Sequence, residues 1–295
     1  MNNQATAMLG LLTETSLHAG AGSSVSGVDL PIQREGHNGW PCVYGSAVKG
    51  SLRDRAEAHY CKDSNDVLAV FGPKTTNASD NAGAIAVGDA RLLLLPVRSL
   101  TSTFKWVTCS EALERLKRDA KRMGLVHFTF NVPTAGSDAE ALVSEGTGDL
   151  FLEEYRFTLR AEKKNIEQCA TSIAKLMNRD NAEDELKKRL TIVSDDMFAH
   201  LTQAAVPVNA HIALESETKT TRDGALWYEE TLAPETLLYV PLVANKSRKD
   251  GHILEAKGVL EKVTGLFSEK HWLQLGGNET VGMGWCAVKV LEGVQ

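Results

Sequence analysis

Leu17–Tyr60 reads LHAGAGSSVSGVDLPIQREGHNGWPCVYGSAVKGSLRDRAEAHY, and its two halves look mismatched. A long loop rich in glycine and serine carries Asp29 just ahead of Pro31. Gly45-Ser46 then opens a helix with Lys49 and Arg53 one turn apart. Ser46 reads as the N-cap, which puts Lys49 in the first turn. A capping box would place Glu or Gln there, because the N-terminal end of a helix carries partial positive charge. A lysine at that place costs stability unless an anion sits between it and the free backbone N–H groups, and phosphate is the obvious anion. The element reads as a grip on a nucleic-acid backbone. Ser46 and the N–H of Ala47 would assist Lys49 and Arg53, with Asp29 beside them as a reactive group.

On the N-terminal side, Ala7–Leu17 is apolar and then alternating, as in a first β-strand. The loop over residues 19–39 is too long for an ordinary connection, and such loops are usually functional or disordered. On the C-terminal side, Val67–Phe71 is a short segment stopped by Gly72-Pro73, and residues 75–83 form a polar loop. Residues 84–97 read as a buried strand with a bulge or turn at Gly88-Asp89, and Phe104–Thr108 as a short strand. Ser110 caps a helix running to Met123, with Leu113, Leu116, Ala120 and Met123 on one face. Residues 132–148 read as loop, 151–159 as one half-buried strand, 165–190 as one charged helix and 195–203 as a short helix. In residues 206–243, VPVNAHIALES and ALWYEETL form the arms of a hairpin. Its polar tip spans Glu217–Gly224, where Asp223-Gly224 supplies the turn chemistry. Ile253–Thr264 is a helix, Gly276, Gly277, Gly282 and Gly284 make a glycine-rich loop, and Trp285–Leu291 is a last strand. Strands and helices interleave without an internal repeat. The chain, 1–295, therefore reads as a single α+β domain with two excursions, the 19–39 loop and a projecting 206–243 hairpin.

Composition limits the partners. At 43% hydrophobic and 24% charged residues the chain fits a soluble globular protein, and no apolar run approaches the roughly 20 residues of a membrane span. The N-terminus is too polar for a signal peptide, which points to the cytoplasm and away from membranes. The formal net charge of −6 counts against indiscriminate nucleic-acid binding but leaves room for a local basic groove. Stable RNA binding would then call for several stacked copies acting by avidity. The five cysteines show no CxxC spacing and read as packing residues. Walker, post-strand GxGxxG and HExxH motifs are absent, which argues against a nucleotide-dependent or zinc-dependent metabolic enzyme.

Five blocks carry a resemblance: LTETSLHAGAG, GVDLPIQREGHNGWP, GSAVKGSLRD, GALWYEE and LQLGGNETVGMGW. In this order, from residue 9 to residue 291, the chain resembles the backbone subunits of type III-B CRISPR effectors, the Cmr complexes, within the RAMP superfamily. The VDLPIQRE and GxxxKGxLRD blocks are the specific ones. The resemblance implies a ferredoxin-like, RRM-type core with large insertions. It implies copies of the subunit stacked along a guide RNA (crRNA) beside other Cmr subunits, and a protruding thumb hairpin that wedges into the guide–target duplex. It further implies that the acid ahead of LPIQRE, here Asp29, cuts target RNA with a divalent cation, Mg²⁺ or Mn²⁺. The attacking group would be the RNA's own 2′-OH, leaving cyclic phosphate and 5′-hydroxyl ends.

Each candidate has a plain structural reading beside the functional one. Asp29 caps a turn, or orients the ribose 2′-OH and holds the cation; a single acid suffices for Mg²⁺ shared with substrate phosphate. His18 packs, or serves as acid or base. Lys49 and Arg53 are a solvated helix face, or grip phosphate; Arg34 is a further RNA-contact candidate. Trp227 is hairpin packing, or stacks on a base. Tyr228 and Glu230 are expected to complete the active site from a neighbouring subunit. The four glycines of the C-terminal loop are turn residues, or allow close approach to RNA phosphates. The functional alternatives are a target-cutting guide-bound subunit, a non-catalytic scaffold of the same build, and a stand-alone RAMP endoribonuclease that trims guide precursors.

Overall fold

The computed structural model describes residues 4–24, 27–73, 82–126 and 128–294. The expected loop over 75–83 lies mostly outside these. Four strands form the centre: β1 (Ala5–Thr13), β4 (Ala90–Ser99), β12 (Leu237–Ala244) and β14 (Trp285–Glu292). Their order across the sheet is β14-β1-β12-β4, every neighbour antiparallel. Helix α1 (Gly45–Tyr60) connects the first core strand to the second, and α7 (Ala256–Thr264) the third to the fourth. This is the ferredoxin-like βαββαβ order, as expected. Everything from β5 (Thr103–Cys109) to the hairpin is inserted between the second and third core strands.

Alternate residues of β1 serve two cores. Ala5, Ala7, Leu9 and Leu11 pack with Val48, Leu52 and Ala56 of α1 and with Val259 and Val263 of α7. Met8 and Leu12 face Leu113 and Leu116 of α3 (Ser110–Arg122) and Ile166 and Ile173 of α4 (Lys163–Ala174). With both faces covered, β1 is buried almost throughout, so its sequence reads as an apolar run more than as an alternation. Gly10 is fixed by this sandwich: a Cβ there would stand 1.8 Å from the carbonyl oxygen of Leu176.

Several inserted elements differ from the sequence reading. Residues 84–97 split at Gly88-Asp89 into β3 (Ile85–Val87) and β4, and Val67–Phe71 belongs to a helix, α2 (Asn65–Phe71). The 151–159 run is a hairpin, β7 (Asp149–Leu152) and β8 (Tyr155–Ala161), turned at Glu153 with φ of 50°. The 132–148 loop contains β6 (Glu140–Val143). The charged 165–190 helix is two helices, α4 and α5 (Ala182–Arg189), broken before the left-handed Asn181. After β9 (Leu190–Val193), α6 (Asp195–Ala204) leads into the hairpin, β10 (Val208–Leu214) with β11 (Thr221–Glu230), a two-stranded sheet apart from the main one. The tip lies over residues 215–220, and Asp223-Gly224 falls inside β11, where the register shifts opposite Ile212 and Leu214. No helix among the described residues is long and apolar enough to cross a membrane.

Candidate nucleic-acid interface and catalytic loop

The loop after β1 is built. Its outgoing limb pairs with the exit of the hairpin through Leu17 and Leu232, whose N–H and C=O groups exchange bonds of 2.9 Å. Its return limb folds back on the outgoing one: Ala21 N–H donates to Pro31 O at 2.9 Å and Gln33 N–H to Ala19 O at 2.8 Å. The return limb also runs parallel to β11. Leu30 N–H donates to Tyr228 O and Glu230 N–H donates to Leu30 O, each at 3.0 Å.

Asp29 stands at the start of this parallel ladder and is exposed. Its Oδ2 accepts the backbone N–H of Tyr228 at 2.8 Å. Tyr228, through its N–H, and Glu230 meet the Asp29 loop within this chain. The two residues differ in environment. The Tyr228 ring is 44% exposed, on the same hairpin face as Ile212 and Leu226, whereas Glu230 is buried. One Glu230 oxygen accepts Ile32 N–H at 2.9 Å, and the other forms a short ion pair with Arg34. A carboxylate so committed holds the loop; it is not free to meet a ribose. Arg34 likewise spends its terminal nitrogens inside the protein, on Glu230 and on the carbonyl oxygens of Gly39 at 2.9 Å and Thr202 at 3.0 Å.

His18 is also interior. It is 8% exposed, its Nδ1 donates to the carbonyl oxygen of Glu230 at 2.8 Å, and Glu229 Oε1 is 3.5 Å away. Asn278 Nδ2 reaches the same Glu229 oxygen at 2.6 Å, tying the glycine-rich loop to the base of the hairpin. The sequence reading missed Glu229 and Asn278 as members of this network; nothing local in either residue points to the other. Two of the four glycines are required by packing. A Cβ on Gly276 would stand 2.2 Å from His18 O, and one on Gly284 1.9 Å from Leu275 O, both at positive φ. Gly277 and Gly282 are exposed and would leave a neighbouring strand free to approach.

At α1 the cap is Tyr44, one residue before Gly45, so Ser46 lies inside the first turn with its side chain exposed. Asp89 Oδ1 takes the N–H of Gly45 at 2.7 Å, and Ala47 N–H donates to Tyr44 O at 2.8 Å. Those two backbone donors are therefore not offered to phosphate. Arg53 is spent on Glu57 at 2.8 Å and on the carbonyl oxygen of Gly72 at 3.1 Å, which joins α1 to the end of α2. Lys49 differs: among the described residues it has no hydrogen-bond or ion-pair partner. Its ammonium pKa is pushed down by burial and by repulsion from Arg53. Among the described residues, Lys49 and the hydroxyl and N–H of Ser46 are the groups at this helix end left for an anion. On the hairpin, Trp227 stacks on His211 across the strands, with ring centroids 5.5 Å apart and planes 15° from parallel.

No three His, Cys, Asp or Glu side chains among the described residues converge on a metal-sized centre. A resident, protein-caged ion does not fit here. A hydrated cation, which needs only one or two carboxylates, is compatible with the exposed Asp29 carboxylate. Burial pushes the thiols of Cys42, Cys169 and Cys286 up to about 12, which marks them as packing groups.

The core is an antiparallel βαββαβ sheet with a glycine-rich loop before its last strand and a structured, acid-bearing loop after its first. Residues 11–287 match the RAMP superfamily, and the chain belongs to that superfamily. It is 36% identical to a curated relative from Pyrococcus furiosus, "CRISPR system Cmr endoribonuclease Cmr4", over 97% of this chain and 95% of the relative. It superposes on the crystal structure of oligomeric Cmr4 from Pyrococcus furiosus with a TM-score of 0.76 and 29% identity, covering 99% of each chain. A subunit in the cryo-EM structure of the Type III-B Cmr-beta bound to cognate target RNA shares the fold at a TM-score of 0.70 and 18% identity, over 97% of this chain and 96% of that one.

Proposed function

We propose that this chain is a guide-RNA-binding backbone subunit of a type III-B CRISPR effector and that it cleaves complementary target RNA with Asp29 as its catalytic carboxylate. The observation that carries this reading is the exposed Asp29 carboxylate docked on the Tyr228 N–H at the foot of the separate hairpin. Copies stack along the guide next to other Cmr subunits, in the cytoplasm where guide and target RNA meet. Each hairpin interrupts the guide–target duplex, and the ribose displaced there comes within reach of Asp29. The relative named an endoribonuclease and the oligomeric crystal structure support both halves of this reading.

Asp29 takes the proton of the 2′-OH. The 2′ oxygen then attacks the adjacent phosphorus, the bond to the 5′ oxygen breaks, and that oxygen takes a proton from solvent. The products are a 2′,3′-cyclic phosphate and a 5′-hydroxyl. The exposed Tyr228 ring packs against the displaced nucleotide, and Lys49 with Ser46 holds a phosphate of the guide. A Mg²⁺ or Mn²⁺ held by Asp29 and RNA phosphate would supply charge neutralisation at the reacting phosphodiester. His18, Glu229, Glu230 and Asn278 hold the loop and the hairpin base in register.

The test is a target carrying a single 2′-deoxy nucleotide at one cut position. The guide-bound complex should leave that position intact and cut the others normally. Cutting at the deoxy position would exclude the 2′-OH as the attacking group.

A further inference from the structure

Arg34 occupies a junction that the chemistry above leaves unused. Its Nη1 donates to Gly39 O at 2.9 Å and Thr202 O at 3.0 Å, and its Nη2 makes the short ion pair with Glu230. Thr202 lies in the last turn of α6, just before β10 begins, and Glu230 is the last residue of β11. One guanidinium therefore ties both feet of the hairpin to the return limb of the Asp29 loop. The next residue, Glu35, is fixed separately through Arg115 of α3, at 2.8 and 2.6 Å. Beyond this double anchor, the carboxylate of Asp29 rests on the Tyr228 N–H of the hairpin's own second arm. Beside the Leu30 ladder and the Ile32 N–H on Glu230, Arg34 is the side chain that joins this loop to both feet of the hairpin at once.

We propose that Arg34 is a positioning residue that fixes where Asp29 stands relative to the hairpin, and so selects which phosphodiester of a bound target is cut. This rests on the reading of the site given above. The planar guanidinium presents several donors in a fixed fork and spans acceptors on three chain segments; a lysine ammonium, a point charge on a flexible stem, cannot hold all of them in one plane. A displacement of the reacting groups by about 1 Å costs about a hundredfold in rate.

The experiment uses guide-bound complexes assembled from full-length Arg34→Lys, Arg34→Ala, Glu230→Gln and Asp29→Ala chains, with an end-labelled complementary target. Single-turnover rate, target Kd and cut positions are measured together. The Arg34 variants should hold the target within about twofold of wild type, cut about ten- to a hundredfold more slowly, and spread their cuts onto neighbouring phosphodiesters. Cuts that stay on the wild-type phosphodiesters overturn the inference. So does a Kd that weakens in step with the rate while cut positions are kept, because Arg34 is then an RNA contact. If Arg34→Ala fails to assemble, Arg34→Lys and Glu230→Gln decide by the same criterion of cut position. An Asp29→Ala complex that still cuts brings down the reading of the site and this inference with it. An inactive Asp29→Ala beside Arg34 variants that cut like wild type brings down the inference alone.

Discussion

Lys49 carries its charge at a cost in the free protein, and on the proposed reading an RNA phosphate would offset it. Its pKa lies below the ordinary lysine value because burial and Arg53 both disfavour the charge. A folded-state pKa below the unfolded one means the charged form destabilises the fold at every pH below it, and that cost fades as pH rises through it. Lys49→Met should therefore leave Tm unchanged or raise it. It should also weaken RNA binding and reduce the slope of log K against log salt by about 0.7–0.9, the signature of one lost phosphate contact. An unchanged salt slope would mean that Lys49 touches no phosphate. In the sequence Ser46 reads as the cap and puts Lys49 in the first turn; with the cap at Tyr44, Lys49 is the fifth residue of α1 and lies past that turn. What sequence does not show is that Asp89 has already taken the Gly45 N–H, or that the Tyr228 N–H, 199 residues from Asp29, supports its carboxylate. Arg34, His18 and Glu230 were read as RNA-facing or catalytic on their type; the tertiary fold turns them inward to the same junction.

At the scale of elements, α2 is clamped to the segment around α7 by Asp66. Its two oxygens meet His252 Nε2 at 2.7 Å and Lys262 Nζ at 2.6 Å. Chiefly the Lys262 hydrogen bond, helped by His252, holds the Asp66 carboxyl below the ordinary value of 3.8. A depressed folded-state pKa contributes stability that is present above the unfolded value and lost as pH falls through the folded one. Asp66→Asn should therefore be less stable than wild type near neutral pH by about 1–2 kcal/mol. The gap should close as pH drops below about 4. Chemical unfolding of both proteins across that range checks this, and an undiminished gap at the acid end would contradict it. The β7–β8 turn uses Glu153 in a left-handed conformation with no glycine or proline to announce it. The α4–α5 break falls at Asn178-Arg179-Asp180-Asn181, where Asn and Asp do favour a turn, so that signal was present in the sequence. At the hairpin, Asp223-Gly224 carries turn chemistry but serves a register shift within β11.

For the whole molecule, the residues alone read as one α+β domain, and the ferredoxin-like order enters through the resemblance carried by the five sequence blocks. The insertion between β4 and the hairpin was legible only in outline, since its strands are short and paired with distant partners. With 32 basic against 38 acidic residues the chain has no net positive charge to attract RNA, so on the proposed reading tight holding of a guide needs several copies side by side. On the proposed reading, each subunit of such a row would contribute its own Asp29, hairpin and Lys49, and its cuts would be spaced by the subunit repeat. The most direct test is single-turnover target cleavage by a guide-bound complex in which every copy carries Asp29→Asn, with target Kd measured alongside. The site described here predicts wild-type target affinity and the joint loss of every cut in the series. Cleavage that continues at the same positions and rate, with the target still bound, would contradict it.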